Sequence, residues 1–412
     1  MPKKNKLKFF VVDDDPDIIE FTRSLLEADG HSVVGLPGSA TAVAQILAAK
    51  PDCVLIDLMM PGTDGLELCK LLNEQKSRHN SRIIIISGKP YETDRTRAYE
   101  FGACGYITKP LNAETFVDKI YRIIDDEMEV AFWGVRGTLP VPGPKSLRYG
   151  GNTSCVSLEF AKGQFLIFDA GTGIKALSDH LIGQRRQRVE AKIFISHPHW
   201  DHINALPFFT PLYIPGNEFE ILGTSHGNIN MRQMISAQMD GIFFPIRLKQ
   251  FGARVYFRDL EEEEFSLGDG ITIKTKLLNH PGKCLGYRVE YNDHAVCYVT
   301  DHELDFETSE FYNPFYVKNL IKFLHGADLL ITDSTYSDEE YKTKLGWGHS
   351  CISRIVDLAH AAEVKTLLLF HHDPDQTDDD IDRKFEQAQA RLREMGSATR
   401  CLAPTEGQLF KV

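Results

Sequence analysis

The segment His197-Pro198-His199-Trp200-Asp201-His202 constrains this chain more than any other stretch, because it sets four imidazole or carboxylate ligands within six residues. It directly follows the apolar run 193–196, so the cluster falls where a strand turns into a helix. An isolated histidine is ordinarily a satisfied core or surface residue, but four ligands at this spacing suit a pair of borderline divalent cations. Further ligands are expected at later strand ends, and the sequence supplies them in order. His280 stands in Asn279-His280-Pro281-Gly282, Asp301 ends Tyr298-Val299-Thr300-Asp301, and His371 and His372 follow the apolar run 367–370.

The hexapeptide resembles the HxHxDH motif of the metallo-β-lactamase superfamily. That resemblance implies one metal on His197, His199 and His280, a second on Asp201, His202 and His371, and Asp301 between them. His371 is preferred to His372 because the superfamily's ligand comes immediately after the strand. The implied metals are zinc or manganese, with iron a further option, and such a pair lowers the pKa of bound water. Segments 132–137, 149–155 and 168–173 extend the resemblance over about 130–412, and look most like the branch that includes tRNase Z and the phosphoribosyl cyclic-phosphate phosphodiesterases. Asp169 is expected to orient a ligand imidazole. In tRNase Z-like enzymes an acidic residue at a strand end and a histidine before a helix together protonate the departing alkoxide. Asp333 and His349 fall on those positions, although tRNase Z carries glutamate where this chain has Asp333. Asp201, Asp333 and His349 are therefore the catalytic candidates, and Ser350 is expected to cap a helix over 351–362.

Arg136 and Arg148, in the Gly/Pro-rich loop after the first strand of this half, are candidates for substrate phosphate, whereas Lys145 reads as surface. No long Gly/Pro-rich arm of the kind that grips tRNA is found, and the formal charge of -12 disfavours nucleic acid and anionic membranes. The expected substrate is a small phosphodiester such as a cyclic nucleotide or cyclic dinucleotide. The segment 223–247, with His226, Met231, Met234, Met239 and Phe243-Phe244-Pro245, reads equally as a lid, a dimer contact or packed helix.

The first part of the chain alternates short apolar strands (8–12, 32–35, 53–57, 83–87, 105–108) with amphipathic helices, which predicts a five-stranded parallel sheet. Ligands in such sheets bind beyond the carboxyl ends of the strands, and here those ends are polar: Asp13-Asp14-Asp15-Pro16, Asp57, Ser87 and Lys109-Pro110. Converging carboxylates call for a hard cation such as Mg²⁺, while Asp15 before Pro16 reads as a helix cap. The run 57–65 together with Gly105-Tyr106-Ile107-Thr108-Lys109-Pro110 resembles the receiver family of bacterial response regulators over 7–125. The resemblance implies that Asp57 accepts a phosphoryl group from a sensor histidine kinase or phosphotransfer protein. It further implies Mg²⁺ on Asp13, Asp14, Asp57 and the Met59 carbonyl, with Ser87 and Lys109 on the phosphoryl oxygens and Tyr106 as a switch aromatic.

A charge cluster at 125–129 marks the expected boundary: a flavodoxin-like α/β receiver over 1–127, then an αββα metallo-β-lactamase sandwich over 128–412. Strands in the second part are expected at 152–160, 164–169, 192–196, 218–222, 271–277, 286–290, 295–300, 328–332 and 366–370. Helices are expected near 203–209, 229–239, 314–325, 351–362 and 379–395. Eight scattered cysteines without a CxxC pair read as reduced core residues, and with no signal peptide or membrane span the expected location is the cytoplasm. Taken together, the sequence points to a phosphorylation-regulated, metal-dependent phosphodiesterase, expected as a homodimer. The competing reading is a di-iron O₂ or redox sensor on the same fold without hydrolase activity.

Overall fold

The computed structural model describes residues 6–61, 64–88, 91–184, 188–242 and 244–412; Gly62 and Thr63 of the receiver-like motif, and Phe243, lie outside them. The chain divides into two compact units, residues 1–128 with 160–164, and residues 129–159 with 165–412.

The first unit runs β1 (Lys8–Val12), α1 (Pro16–Ala28), β2 (Ser32–Leu36), α2 (Ala42–Ala49), β3 (Cys53–Asp57), α3 (Gly65–Asn73), β4 (Arg82–Ser87), α4 (Glu92–Glu100), β5 (Gly105–Thr108) and α5 (Phe116–Asp125). Its strands form a parallel sheet in the order β2-β1-β3-β4-β5. Central strands covered on both faces need unbroken apolar runs, and β3 is buried at every position. Ile19, Leu26, Ile120 and Ile123 bring α1 and α5 onto one face, while Ile46, Leu66, Leu72 and Ala98 bring α2, α3 and α4 onto the other. Asp15 caps α1 by accepting from the Asp17 N–H, with Pro16 in the first turn.

The second unit begins with β6 (Met128–Gly134), β7 (Cys155–Phe160), β8 (Phe165–Phe168), α6 (Gly173–Gly183), β9 (Glu190–Phe194), α7 (Trp200–Ile203), β10 (Glu218–Thr224), α8 (Met231–Gln238) and β11 (Arg254–Leu260). It continues through β12 (Glu264–Gly268), β13 (Ile271–Leu278), β14 (Cys284–Tyr291), β15 (His294–Val299), α9 (Pro314–Leu324) and β16 (Leu329–Asp333). It ends with α10 (Asp338–Tyr341), α11 (Ile352–Ala361), β17 (Thr366–Phe370), α12 (Asp378–Glu394), β18 (Arg400–Leu402) and β19 (Leu409–Lys411). One sheet has the order β11-β10-β9-β8-β7-β6-β19 and the other β12-β13-β14-β15-β16-β17-β18. Aromatic rings fill the space between them: Phe194 meets Tyr287 at 5.1 Å, Phe168 meets Tyr298 at 5.3 Å, and Phe132 meets Phe370 at 6.0 Å between centroids. Ile174, Leu177 and Ile235 bury α6 and α8 on the outer face of the first sheet, and Leu320, Ile355 and Ala388 bury α9, α11 and α12 on that of the second. This is the αββα sandwich.

Strands β11, β12, β18 and β19 and helices α6 and α10 are absent from the sequence expectation. Met231 and Met239 of the 223–247 segment are each 1% exposed, so helix packing accounts for both. Cysteines are free throughout, and all but Cys104 are buried. Among the described residues no helix is long and apolar enough to cross a membrane.

Candidate metal centre

The carboxyl ends of β9, β15, β16 and β17 converge on one edge of the sandwich, and each delivers ligand-type side chains there. After β9 the chain turns through His197 and His199 into α7, whose first turn carries Asp201 and His202. His280 follows β13, Asp301 follows β15, and His371 follows β17.

Asp301 joins Asp333, His349 and His371 in one close group, and it also belongs to both of the groups that match the expected metal ligands. His197, His199, His280 and Asp301 form one, and Asp201, His202, His371 and Asp301 the other, with donor atoms in each group all within 4.8 Å of one another. Asp301 Oδ2 lies 3.5 Å from His197 Nε2 and 3.9 Å from His280 Nε2, while its Oδ1 lies 3.2 Å from His202 Nε2 and 3.1 Å from His371 Nε2. Asp201 Oδ2 is 3.1 Å from both His202 Nε2 and His371 Nε2, and His199 Nδ1 is 3.2 Å from His280 Nε2. Ligands about 2.1 Å from one tetrahedral cation stand roughly 3.4 Å apart, so these spacings match donors that share a cation.

The outer ring nitrogens fix which atom each histidine presents. His202 Nδ1 donates to Asp169 Oδ2 at 2.7 Å, and His280 Nδ1 donates to the Gly348 carbonyl at 2.8 Å. His371 Nδ1 is 3.1 Å from Thr335 Oγ1. Among the described residues Nε2 of His197 and Nε2 of His202 are enclosed without a well-directed hydrogen bond, although carboxylate oxygens stand close to both, an arrangement that costs free energy unless a further group engages them. Burial, aided by His202, pushes His197 well below the usual imidazole range against the pull of Asp301. Burial opposes ionisation of Asp201 and Asp301, but the surrounding imidazoles hold both well below the usual carboxylate range. His202 also resists burial and is raised well above its ordinary value by Asp201, Asp301 and Asp169. Three carboxylates converging on one imidazole are an excess of negative charge that a cation neutralises, so the donor set fits a metal pair.

Local backbone is arranged around these groups. Asp169, Asp301 and His371 have φ of 60°, 28° and 59°, left-handed values that non-glycine residues adopt at a cost. A Cβ on Gly137 would lie 2.1 Å from His371 Cε1, so only glycine lets this loop pass the ring. The next residue, Thr138, donates its N–H to Asp201 Oδ2 at 2.7 Å.

Asp333 and His349 meet beside the two groups. His349 Nδ1 lies 2.7 Å from Asp333 Oδ2, and its ring stacks on His371 with centroids 5.1 Å apart. Burial disfavours its charge, yet Asp333, followed by Asp301 and Asp201, raises the imidazole to about 9. Asp333 is fully buried and also accepts from the N–H and hydroxyl of Thr335 at 2.9 and 2.7 Å.

Three expectations require correction. Arg136 is completely buried, donating to the carbonyls of Gly150 at 3.0 Å and Gln376 at 2.6 Å, and therefore cannot receive a substrate phosphate. Arg148 turns to α12, where Asp382 and Asp379 lie 2.6 and 2.5 Å from its guanidinium, so its charge is already matched. Ser350 does not cap α11; its hydroxyl donates to the His302 carbonyl at 2.6 Å and accepts from the Leu304 N–H. Residues that sequence reasoning missed stand behind the ligands: Thr335, Lys384, and Glu303, which accepts from the Gly346 and Gly348 N–H groups at 2.8 Å. Lys384 did leave a signal, since it falls in phase with the buried Ile381, Ala388 and Leu392 on an otherwise amphipathic helix.

In the first unit Asp13, Asp14 and Asp57 form a further carboxylate group at the strand ends. Lys109 Nζ reaches Asp57 Oδ1 at 2.6 Å and Asp13 Oδ2 at 3.0 Å, and Met59 donates its N–H to Asp57 Oδ2 at 2.6 Å. Burial disfavours the Lys109 charge, but these two carboxylates raise it. Burial dominates at Asp13 and raises its carboxyl. Ser87 ends β4 fully buried, and burial raises the half-buried Tyr106 phenol while the Ser87 hydroxyl opposes the shift.

Comparison with known proteins follows this division. Residues 9–121 match the response regulator receiver domain and residues 165–372 the beta-lactamase superfamily domain. The transcriptional regulatory protein ResD of Bacillus subtilis (strain 168) is 32% identical over 133 residues, covering 32% of this chain and 54% of ResD, so the chain spans about half the length of that relative. The metallo-beta-lactamase fold protein YhfI from Bacillus subtilis superposes with a TM-score of 0.50 at 17% identity, covering 70% of this chain and 100% of YhfI. Unliganded yeast PDE1 gives 0.52 at 13% identity, covering 69% of this chain and 99% of its own. Such distant likenesses establish fold. The chain belongs to the beta-lactamase superfamily and carries a response regulator receiver domain ahead of that fold.

Proposed function

We propose that this protein is a phosphoryl-controlled, metal-dependent phosphodiesterase acting on a small phosphodiester such as a cyclic nucleotide or cyclic dinucleotide. His197, His199 and His280 would hold one cation, Asp201, His202 and His371 the other, and Asp301 both. Zinc, manganese and iron all suit this nitrogen and oxygen donor set. When bound, a cation pair supplies Lewis acidity, activated water and neutralisation of charge on a phosphoryl centre.

The observation that carries the reading is the Asp333–His349 pair at 2.7 Å, stacked on the ligand His371. A sugar alkoxide is a poor leaving group at neutral pH and needs a proton, whereas opening a β-lactam ring does not call for this pair. Asp333 keeps His349 protonated and directs its ring, so that Nε2 can deliver the proton to the departing oxygen. Asp201, besides its ligand role, is held in place by the Thr138 N–H.

In the receiver, Asp57 is the proposed phosphoacceptor, with Mg²⁺ on Asp13, Asp14, Asp57 and the Met59 carbonyl. Ser87 and Lys109 would bind the phosphoryl oxygens, and Tyr106 would respond to them. A sensor histidine kinase or phosphotransfer protein is the proposed donor.

Leaving-group dependence tests the acid. In His349→Ala, turnover of a phosphodiester with an alkoxide leaving group is expected to fall by about 10²–10⁴-fold, while one with p-nitrophenolate, which needs no proton, falls far less. Equal losses on both substrates would remove His349 as the proton donor.

A further inference from the structure

Lys384 lies on α12 and is 2% exposed, although its side chain carries a charge. An ammonium has three N–H donors, and Lys384 Nζ has three acceptors: the Ser334 carbonyl at 2.5 Å, the Thr335 carbonyl at 3.2 Å and His372 Nδ1 at 3.1 Å. Two of these belong to the residues directly after β16, and the third to the second residue after β17. The ammonium thus grips from behind both strand ends that carry Asp333 and His371. Gln376 adds a second hold, donating to the Thr335 carbonyl at 2.9 Å.

Thr335 passes this restraint forward. Its hydroxyl lies 2.7 Å from Asp333 Oδ1, to which it donates, and 3.1 Å from His371 Nδ1, from which it accepts. With Nδ1 so engaged, His371 presents Nε2 toward Asp201 and Asp301, each 3.1 Å away. Burial is unfavourable for the Lys384 charge and draws the group down to about 7, a cost that its three acceptors offset in part. Removing the lysine would take this donor from the Ser334 carbonyl and from His372 Nδ1.

We propose that Lys384 is a positioning residue: acting through the carbonyls of Ser334 and Thr335 and the Thr335 hydroxyl, it fixes His371 and so selects the metal site formed by Asp201, His202 and His371. The inference rests on the dinuclear reading above. His197, His199 and His280 follow β9 and β13 rather than β16 and β17, so the site they form touches this contact less directly, through the shared Asp301 and through the Gly348 carbonyl that His280 Nδ1 meets.

The experiment uses the full-length chain stripped of metal and titrated with Zn²⁺ under buffered free-metal conditions, with Co²⁺ absorption as a second readout. Wild type is expected to bind two equivalents. Lys384→Met is expected to bind the first with wild-type affinity and the second about 10–100-fold more weakly, with an altered Co²⁺ spectrum and, because the Ser334 carbonyl loses its donor, a lower unfolding midpoint of the metal-free protein. Thr335→Val, which leaves the lysine in place, should reproduce the selective loss, and Lys384→Leu decides the question if Lys384→Met does not fold. Folded variants that take up both equivalents with wild-type affinity and spectrum would overturn the positioning role. Wild type that takes up fewer than two equivalents would instead overturn the dinuclear reading.

Discussion

At the scale of single residues, the centre depends on groups that make room as much as on groups that bind. Gly137 is the sharpest case, because a methyl there would collide with the His371 ring at 2.1 Å. Gly137→Ala is expected to lower affinity for the second metal by about 10–100-fold and activity with it, measured by metal titration and turnover; unchanged metal binding would show that the loop can yield. The Asp333–His349 pair has a defined signature in the metal-free protein. His349 is raised from 6.5 to about 9, so its contribution to stability is complete below pH 6.5 and is lost as pH rises through about 9. Asp333 is lowered, so on the acid side the contribution is lost as pH falls below 3.8 and through its depressed value. The difference in unfolding midpoint between wild type and His349→Gln should therefore hold up to about pH 6.5 and close above about pH 9; a difference that persists beyond that pH would contradict the pairing. The ligand-type residues were legible in the sequence because histidine and aspartate directly after apolar strands have few competing explanations. Arg136 was misread because its partners Gln376 and Asp378 lie more than two hundred residues away and local sequence does not announce them.

At the scale of elements, the strands that were legible are those buried on both faces, such as β3, β4, β15 and β17, whose apolar runs leave no alternative. Strands β11 and β12 are sheet edges of alternating exposure, with Arg254, Arg258, Asp259 and Glu264 interrupting the pattern, and charge on an edge strand obscures it while protecting it from pairing. The long helix α12 was visible from its periodicity, and the structure adds what holds its start: Thr377 and Asp380 cap each other's backbone N–H groups. Thr377→Ala is expected to cost about 1 kcal/mol of stability, read as a lower denaturant midpoint with unchanged slope. Because α12 carries Lys384, a larger loss accompanied by weaker metal binding would show that the cap also supports the centre.

At the scale of the whole molecule, two units with separate chemistries share one chain, and control requires that a phosphoryl group on Asp57 favour one state of the protein over another. Asp57→Asn is expected to abolish labelling by acetyl phosphate and any effect of that donor on turnover; label retained by this variant would place the phosphoacceptor elsewhere. The receiver's fold and strand-end carboxylates were legible because they form one short, sequential α/β unit, whereas the substrate of the second unit was not, since the basic residues that pointed to it are engaged within the protein. A metal-dependent phosphodiesterase centre is tested most directly by hydrolysis of bis(p-nitrophenyl) phosphate by the full-length chain loaded with Mn²⁺ or Zn²⁺, with bound metal counted in the same sample. Two metals per chain are expected, with release of p-nitrophenolate that is lost in His199→Ala; a coloured chain that retains two irons and is inert toward this ester, with Mn²⁺ and Zn²⁺ no more effective, would contradict the phosphodiesterase assignment.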